Sequence, residues 1–485
     1  MNYAVVIYIL GWILDIEAAC MMLPALVALI YGEHEGFGFL WVALACALVG
    51  TLIVMRKPKD MKFYVREGFV TTALSWVLLS VVGAIPYVLN GDIPNYVNAL
   101  FETISGFTTT GATILSNPEG LAKCSLFWRS FAHWIGGMGV LVFLLAILPM
   151  AGGGSHMNLM KAESPGPTVG KLVPKVKDTA FYLYAIYFVM TVIMTILLLF
   201  GGMNLFEALT TTFGTAGTGG LSIWNDSMMS ATPYQQWVIA IFMVLFGVNF
   251  GFYFLIITGK IKQAFKIQEV KVYFCVIAVS VLIICINIYD RFDSIFTTIR
   301  HSFFQVGTII TTTGYGTTDF DLWPSTSKTV LVMLMFVGAC AGSTGGGIKI
   351  SRFMVMVKTV GKEITSCLFP NSVKKLKMED KVIGHETLRS INVFFMTYIL
   401  IFAGSLLLIS IENKDLTSNF TAVAATFNNI GPGLNLVGPT RTFDCYGAFS
   451  KFIFMFDMLA GRLELFPILI LFSPQVWKRK KKVSA

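Results

Sequence analysis

The stretch TIITTTGYGTTDF, residues 308–320, lies between two long apolar segments and carries no charge before Asp319. Threonine and glycine cannot fill an apolar core, and an uncharged run is a poor solvated loop. Such a tract needs surroundings that are neither core nor bulk water, and its neighbours say what they are.

Of the 485 residues, 55% are hydrophobic and 13% charged, and the mean hydropathy is +0.72. These values exclude an ordinary water-soluble domain. Crossing a hydrocarbon slab takes about 20 apolar residues as helix, and runs of that order recur at 36–55, 68–91, 179–206, 227–259, 329–348 and 390–411. Weaker runs at 1–31 (broken by Asp15 and Glu17), 130–150 (with His133), 272–289 and 447–477 (with Asp457, Arg462 and Glu464) bring the expected spans to ten. Lysine and arginine concentrate in alternate connections, 56–66, 161–177, 260–271, 349–389 and 478–482, which together hold 27 of the 36 basic residues. Basic connections stay on the cytoplasmic side, so both termini are expected there. The net charge of +9 then belongs to loops facing anionic lipid, and no nucleic-acid partner is needed. Cys20, Cys46, Cys124, Cys275, Cys285, Cys340, Cys367 and Cys445 form no CxxC pair and read as small hydrophobes. The N-terminus lacks the basic region of a cleavable signal, and GSHM at 154–157 reads as native loop.

The tract is one of four. After two leading spans the chain repeats a unit of span, short apolar piece, polar tract and span, at intervals near one hundred residues. The tracts are GFTTTGATI around Gly111, TAGTGGLS around Gly219, TTTGYGTT around Gly314 and NNIGPGLN around Gly431. In the second, Gly217 and Gly220 compete for the register. The pieces before them, YVNALFETISGF, NLFEALTTTF, IFTTIRHSFF and SNFTAVAATF, are too short to cross alone at about 1.5 Å per residue. Irregular backbone at membrane depth survives only when buried in protein or lining water. Four half-spans entering from the outer face and meeting on one axis satisfy that condition together.

A dehydrated monovalent cation needs several oxygens in place of its water shell, and rings of backbone carbonyls supply them without fixed charge. TTGYG at 312–316 differs from the potassium-channel filter TVGYG only at Thr313. With AESPGP at 162–167, the two leading spans and TTTGAT and TTTGYG as first and third tracts, the chain resembles the TrkH/KtrB superfamily of potassium transporters, in its bacterial TrkH branch, over nearly its whole length. The resemblance implies an all-α integral membrane protein with four M1-P-M2, potassium-channel-like repeats around one pseudo-fourfold pore. The expected division is two leading helices in 1–62, repeats in 63–160, 161–268 and 269–360, and a fourth repeat with a basic tail in 361–485. It further implies potassium uptake across the bacterial inner membrane by a homodimer of separate pores, regulated by a cytoplasmic TrkA-type NAD- or ATP-binding ring. Potassium is the cargo and no organic cofactor is expected. The potassium site would use the backbone of Thr110, Gly111, Thr218, Gly219, Thr313, Gly314, Ile430 and Gly431. In related plant transporters a serine at the first filter glycine accompanies sodium permeation, so Gly111 favours potassium.

Two further features belong to the same picture. GACAGSTGGGIKIS, residues 338–351, places five glycines within ten positions of an expected helix, and each glycine weakens a helix by roughly 1 kcal/mol against alanine. The resemblance makes this a mobile loop beneath the filter, with Gly342, Gly345, Gly346, Gly347 and Lys349 in the gate; close packing of small residues is the alternative. It is not a Walker motif, because Ile348 stands where lysine is required. Arg462, in LAGRLELFP, is the last gate residue, lining the pore and latching that loop, with an ion pair to Asp457 or Glu464 as the alternative. Asp15, Glu17, Glu102, Glu207 and His133 are expected in structural pairs or caps. A coupled secondary transporter of another solute, or a less selective sodium and potassium symporter, is the second functional reading; inverted repeats would favour it, and here all four run the same way. An enzyme is not expected, since His34, His133, His156, His301 and His385 are dispersed with no HExxH spacing.

Overall fold

In hydrocarbon a backbone must satisfy its own polar groups, so the apolar runs fold as helices. The computed structural model describes residues 1–61, 63–139, 176–370, 375–378 and 381–477. The AESPGP and GSHM segments and the basic tail lie outside the described residues.

Two leading helices, Tyr3–Tyr31 and Gly36–Val54, form an antiparallel hairpin against the rest of the protein. The first continues through its acidic positions: Asp15 accepts a hydrogen bond from Thr51 Oγ1 on the second helix at 3.4 Å. Glu17 departs from expectation. It is 1% exposed and neither carboxylate oxygen has a partner among the described residues.

Each unit then supplies a first helix (Val65–Gly83 continuing in Ile85–Asn90, Val176–Phe200, Gln268–Asn287 and His385–Ile409) and a short pore helix (Tyr96–Phe107, Leu205–Ala216, Ile295–Ile310 and Leu416–Phe427). The pore helices start where a side chain caps free N–H groups. Asn95 accepts from Val97 N, Asn204 from Glu207 N, Ser294 from Phe296 N and Asp415 from Ser418 N. Glu207 completes a capping box with Asn204, as expected of a structural carboxylate. All four end directly before the polar tracts, with their C-termini, the negative ends of their dipoles, directed at one place.

The second helices differ from the sequence expectation. Among the described residues six helices are long and apolar enough to span a bilayer, and none of the six is a second helix. The run 227–259 is a bent pair, Pro233–Phe246 and Phe250–Ile257, with 90° between its halves. The last run breaks between Ala448–Arg462 and Phe466–Leu471. The third breaks where glycine predicts, Ser325–Val337 giving way to an irregular loop before Ile350–Leu368, and the first is helical over Lys123–Met138. The outer surface carries Leu48, Phe200, Ile286 and Leu400, all strongly exposed, a distribution suited to lipid contact and not to water. Cys275, Cys367 and Cys445 are exposed and not small core groups, whereas Cys46, Cys124 and Cys340 are buried.

Candidate functional site

The four tracts meet. After each pore helix one residue turns left-handed, Thr109, Thr218, Thr312 and Asn429 with φ of 54°, 54°, 59° and 55°. The next residue sends its N–H back five positions: Thr110 to Ser105, Gly219 to Gly214, Thr313 to Thr308 and Ile430 to Ala425. A left-handed glycine follows, Gly111, Gly220, Gly314 and Gly431. This pattern resolves the register of the second tract. Gly219 and Gly220 correspond to Thr110 and Gly111, so the expected pair Thr218 and Gly219 stands one residue too early.

The glycines interlock with the carbonyls in chain order. A Cβ on Gly111 would collide with the carbonyl oxygen of Gly219, one on Gly220 with that of Thr313, and one on Gly314 with that of Ile430. One on Gly431 would lie 2.8 Å from that of Thr110, closing the ring. Only glycine combines this positive φ with so close an approach of backbone. All four glycines also line one cavity.

Every junction between units is tied. His133 joins the first two: its Nδ1 lies 2.7 Å from Gly106 O, and its Nε2 accepts Leu221 N–H at 3.2 Å, which leaves Nδ1 as the donor. Arg129 pairs with Glu102 at 2.6 Å and donates to Ser222 O at 2.5 Å. Both charges are buried, and Glu102 also accepts from Ile114 N–H. Gly316 O accepts from Met228 N–H between the second and third units. Asp321 accepts from Asn435 N–H between the third and fourth. Between the fourth and first, Asn429 Nδ2 donates to Thr110 Oγ1 at 2.9 Å and Phe443 N–H donates to Thr113 O at 2.9 Å.

Beneath the ring lies the glycine loop, residues 338–349. Gly346 N–H donates to Thr312 Oγ1 at 2.6 Å, and a Cβ on Gly345 or Gly346 would come within 2.9 Å of Thr311 O or 2.6 Å of Asn428 O. The loop also explains the unforeseen bend at 247–249. Cys340 N–H donates to Gly247 O, Phe250 N–H to Gly342 O and Thr344 N–H to Phe246 O, so two broken helices satisfy each other. Lys349, the fifth gate candidate, has φ of 82°, and its Nζ donates to Gly345 O. Arg462 donates to Thr344 O at 2.9 Å, Gly136 O at 2.5 Å and Gly137 O at 2.8 Å, so one guanidinium joins the loop to the end of the first unit's second helix. Its two alternative partners are engaged elsewhere: Asp457 accepts from Ser405 Oγ and Glu464 pairs with Arg352 at 2.5 Å. Gly342, Gly345, Gly346, Gly347, Lys349 and Arg462 all line one inner cavity. The geometry thus brings the eight ring candidates together, with Gly220 joining them, and gathers the six gate candidates one layer below.

Sequence reasoning missed Asn429 as a ring support, and it expected a structural partner for His133 without placing it at a junction between units. Asn429 stands where the other tracts carry threonine, and that exception was the one available signal.

A family model described as a cation transport protein, TrkH, matches residues 37–479. The chain belongs to the TrkH family. It is 35% identical to the Trk system potassium uptake protein TrkH of Salmonella typhimurium, over 99% of this chain and all of that one. It is 31% identical to the Trk system potassium uptake protein TrkG of Escherichia coli, covering 98% of each. The crystal structure of the potassium transporter TrkH from Vibrio parahaemolyticus superposes with a TM-score of 0.88 at 30% identity, covering 99% of this chain and all of the other. The all-α, multi-pass architecture expected from the sequence is therefore that of the TrkH fold.

Proposed function

We propose that the chain takes up potassium across the bacterial inner membrane through a gated pore, with the carbonyl ring as its selectivity filter. The observation that carries this reading is the closed ring of Thr110, Gly219, Thr313 and Ile430 carbonyls interleaved with four left-handed glycines. Uncharged oxygens replace hydration water without trapping the ion, and four pore-helix C-termini add partial negative charge behind them. The TrkH and TrkG relatives are named as potassium uptake proteins, and potassium as cargo agrees with Gly111 in the first tract. No ATP site on this chain is needed: a membrane potential contributes about 2.3 kcal/mol per charge per 100 mV.

The glycine loop and Arg462 form the gate. Loop backbone fills the path directly under the ring, and a guanidinium bound to carbonyls on two sides both latches it and repels a waiting cation. The protein works as a transporter, as a dimer of two pores with both termini cytoplasmic, and a cytoplasmic nucleotide-binding ring of the TrkA type sets the gate. The name "Trk system", which the relatives carry, supports an assembly of several components.

Rubidium flux into liposomes with sodium as competitor tests the reading. Rubidium should enter and sodium compete weakly, whereas solute-dependent flux would favour a coupled transporter. Gly111→Ser should lower the potassium-over-sodium preference about tenfold, or about 1.4 kcal/mol; an unchanged preference removes Gly111 from the filter.

A further inference from the structure

We infer that Glu269 is a positioning residue that holds both ends of the glycine loop and keeps the pore closed, an inference that rests on the gate reading above. Glu269 stands in the first turn of Gln268–Asn287 and is 4% exposed. Its Oε1 accepts Ala341 N–H at 2.7 Å and Ser351 N–H at 3.1 Å. These two residues lie ten apart in the chain, one in the first part of the loop and one just past its end, so a single carboxylate oxygen bridges them and reinforces the direct bond from Ile350 N–H to Ala339 O at 3.2 Å. Between those points the loop is tied to its neighbours by Cys340 N–H to Gly247 O, Thr344 N–H to Phe246 O and Gly346 N–H to Thr312 Oγ1, but it has no regular helix of its own. Three of its glycines, Gly338, Gly342 and Gly347, are left-handed, and Lys349 occupies a strained conformation just before Ile350–Leu368 begins.

The chemistry suits a clasp. Ser351 N–H is one of the unpaired donors of a helix's first turn, where a negative group complements the dipole. Bonds to an ionised acceptor are about twice as strong as neutral ones. Lys349 on the loop acts on the carboxylate as a cation, and next to Glu269 in the chain Gln268 Oε1 accepts from Lys358 Nζ at 2.9 Å, which also donates to Lys377 O at 3.0 Å. Glu269 thus joins the loop to the helix Ile350–Leu368, and through Gln268 and Lys358 its helix end is linked to the strand Lys377–Met378. Displacing that helix withdraws Ser351 from the carboxylate, and the loop's two ends are then no longer held at one point. A pull on the cytoplasmic side would in this way reach Gly345 and Gly346 under the ring without touching Arg462.

The test uses the full-length protein in liposomes and two readouts, basal rubidium flux and the labelling rate of the buried native thiol Cys340 with the other seven cysteines replaced. Glu269→Ala should raise both on the order of tenfold, the factor that loss of a charged hydrogen bond implies. Glu269→Gln keeps an acceptor oxygen and the side chain's volume, and should fall between wild type and alanine. If alanine does not yield a monodisperse protein, glutamine decides: faster labelling supports the clasp, and wild-type labelling overturns it. Arg462→Ala separates the two ideas. A rise in flux with Arg462→Ala but not with either Glu269 variant overturns the clasp alone, and no rise in any of them overturns the gate reading with it.

Discussion

At the level of the ring the four units are interchangeable in backbone terms: one left-handed residue, one N–H returned five positions, one left-handed glycine, four times over. One layer below, the equivalence is gone. Among the described residues only the third unit inserts a twelve-residue loop, at 338–349, the second bends by 90° around it, and the fourth sends in Arg462. In the proposed filter, where an ion would be surrounded evenly, four unequal sequences supply equal backbone. In the proposed gate a single loop is enough, and four copies of it would obstruct one another.

Four substitutions break or sharpen this contrast. Arg129→Ala has the largest expected effect, because it leaves Glu102 buried without its cation, at a loss of about 3–5 kcal/mol. Thermal unfolding in detergent should show a clear fall in midpoint; an unchanged midpoint would mean that the ring's outer support is redundant. Gly220→Ala and Gly314→Ala should be equally damaging if the ring is symmetric. A displacement of about one ångström in a positioned site lowers function about a hundredfold, and potassium-limited growth of a host lacking other uptake routes should be lost with either. A mild phenotype for Gly220 beside a severe one for Gly219 would restore the other register. Arg462→Ala should raise basal rubidium flux about tenfold under the proposed gate; flux at or below wild type would deny the latch.

Much of the ring was legible before any coordinates. YVNALFETISGF matches its helix end for end, because the capping residue before it and the threonines after it are local signals. The one error lay in the second tract, where three glycines crowd within four positions and local rules cannot rank them. Gly220 is identified by the carbonyl of Thr313, which comes from another unit nearly one hundred residues away. Glu17 shows the opposite limit: its charge looked like half of a pair, yet its burial beside Gly83 leaves it without a partner among the described residues.

Composition and period by themselves determined the bilayer, the four units, the pore helices and the break at the glycine loop, since each depends on residues adjacent in the chain. Only the tertiary structure decided that the second and fourth units also break, at 247–249 and 463–465, and which groups Glu269 and Arg462 hold. A helix can open inside a membrane only where its freed carbonyl and amide groups meet partners, and those partners lie on other segments, which hydropathy along one chain does not contain.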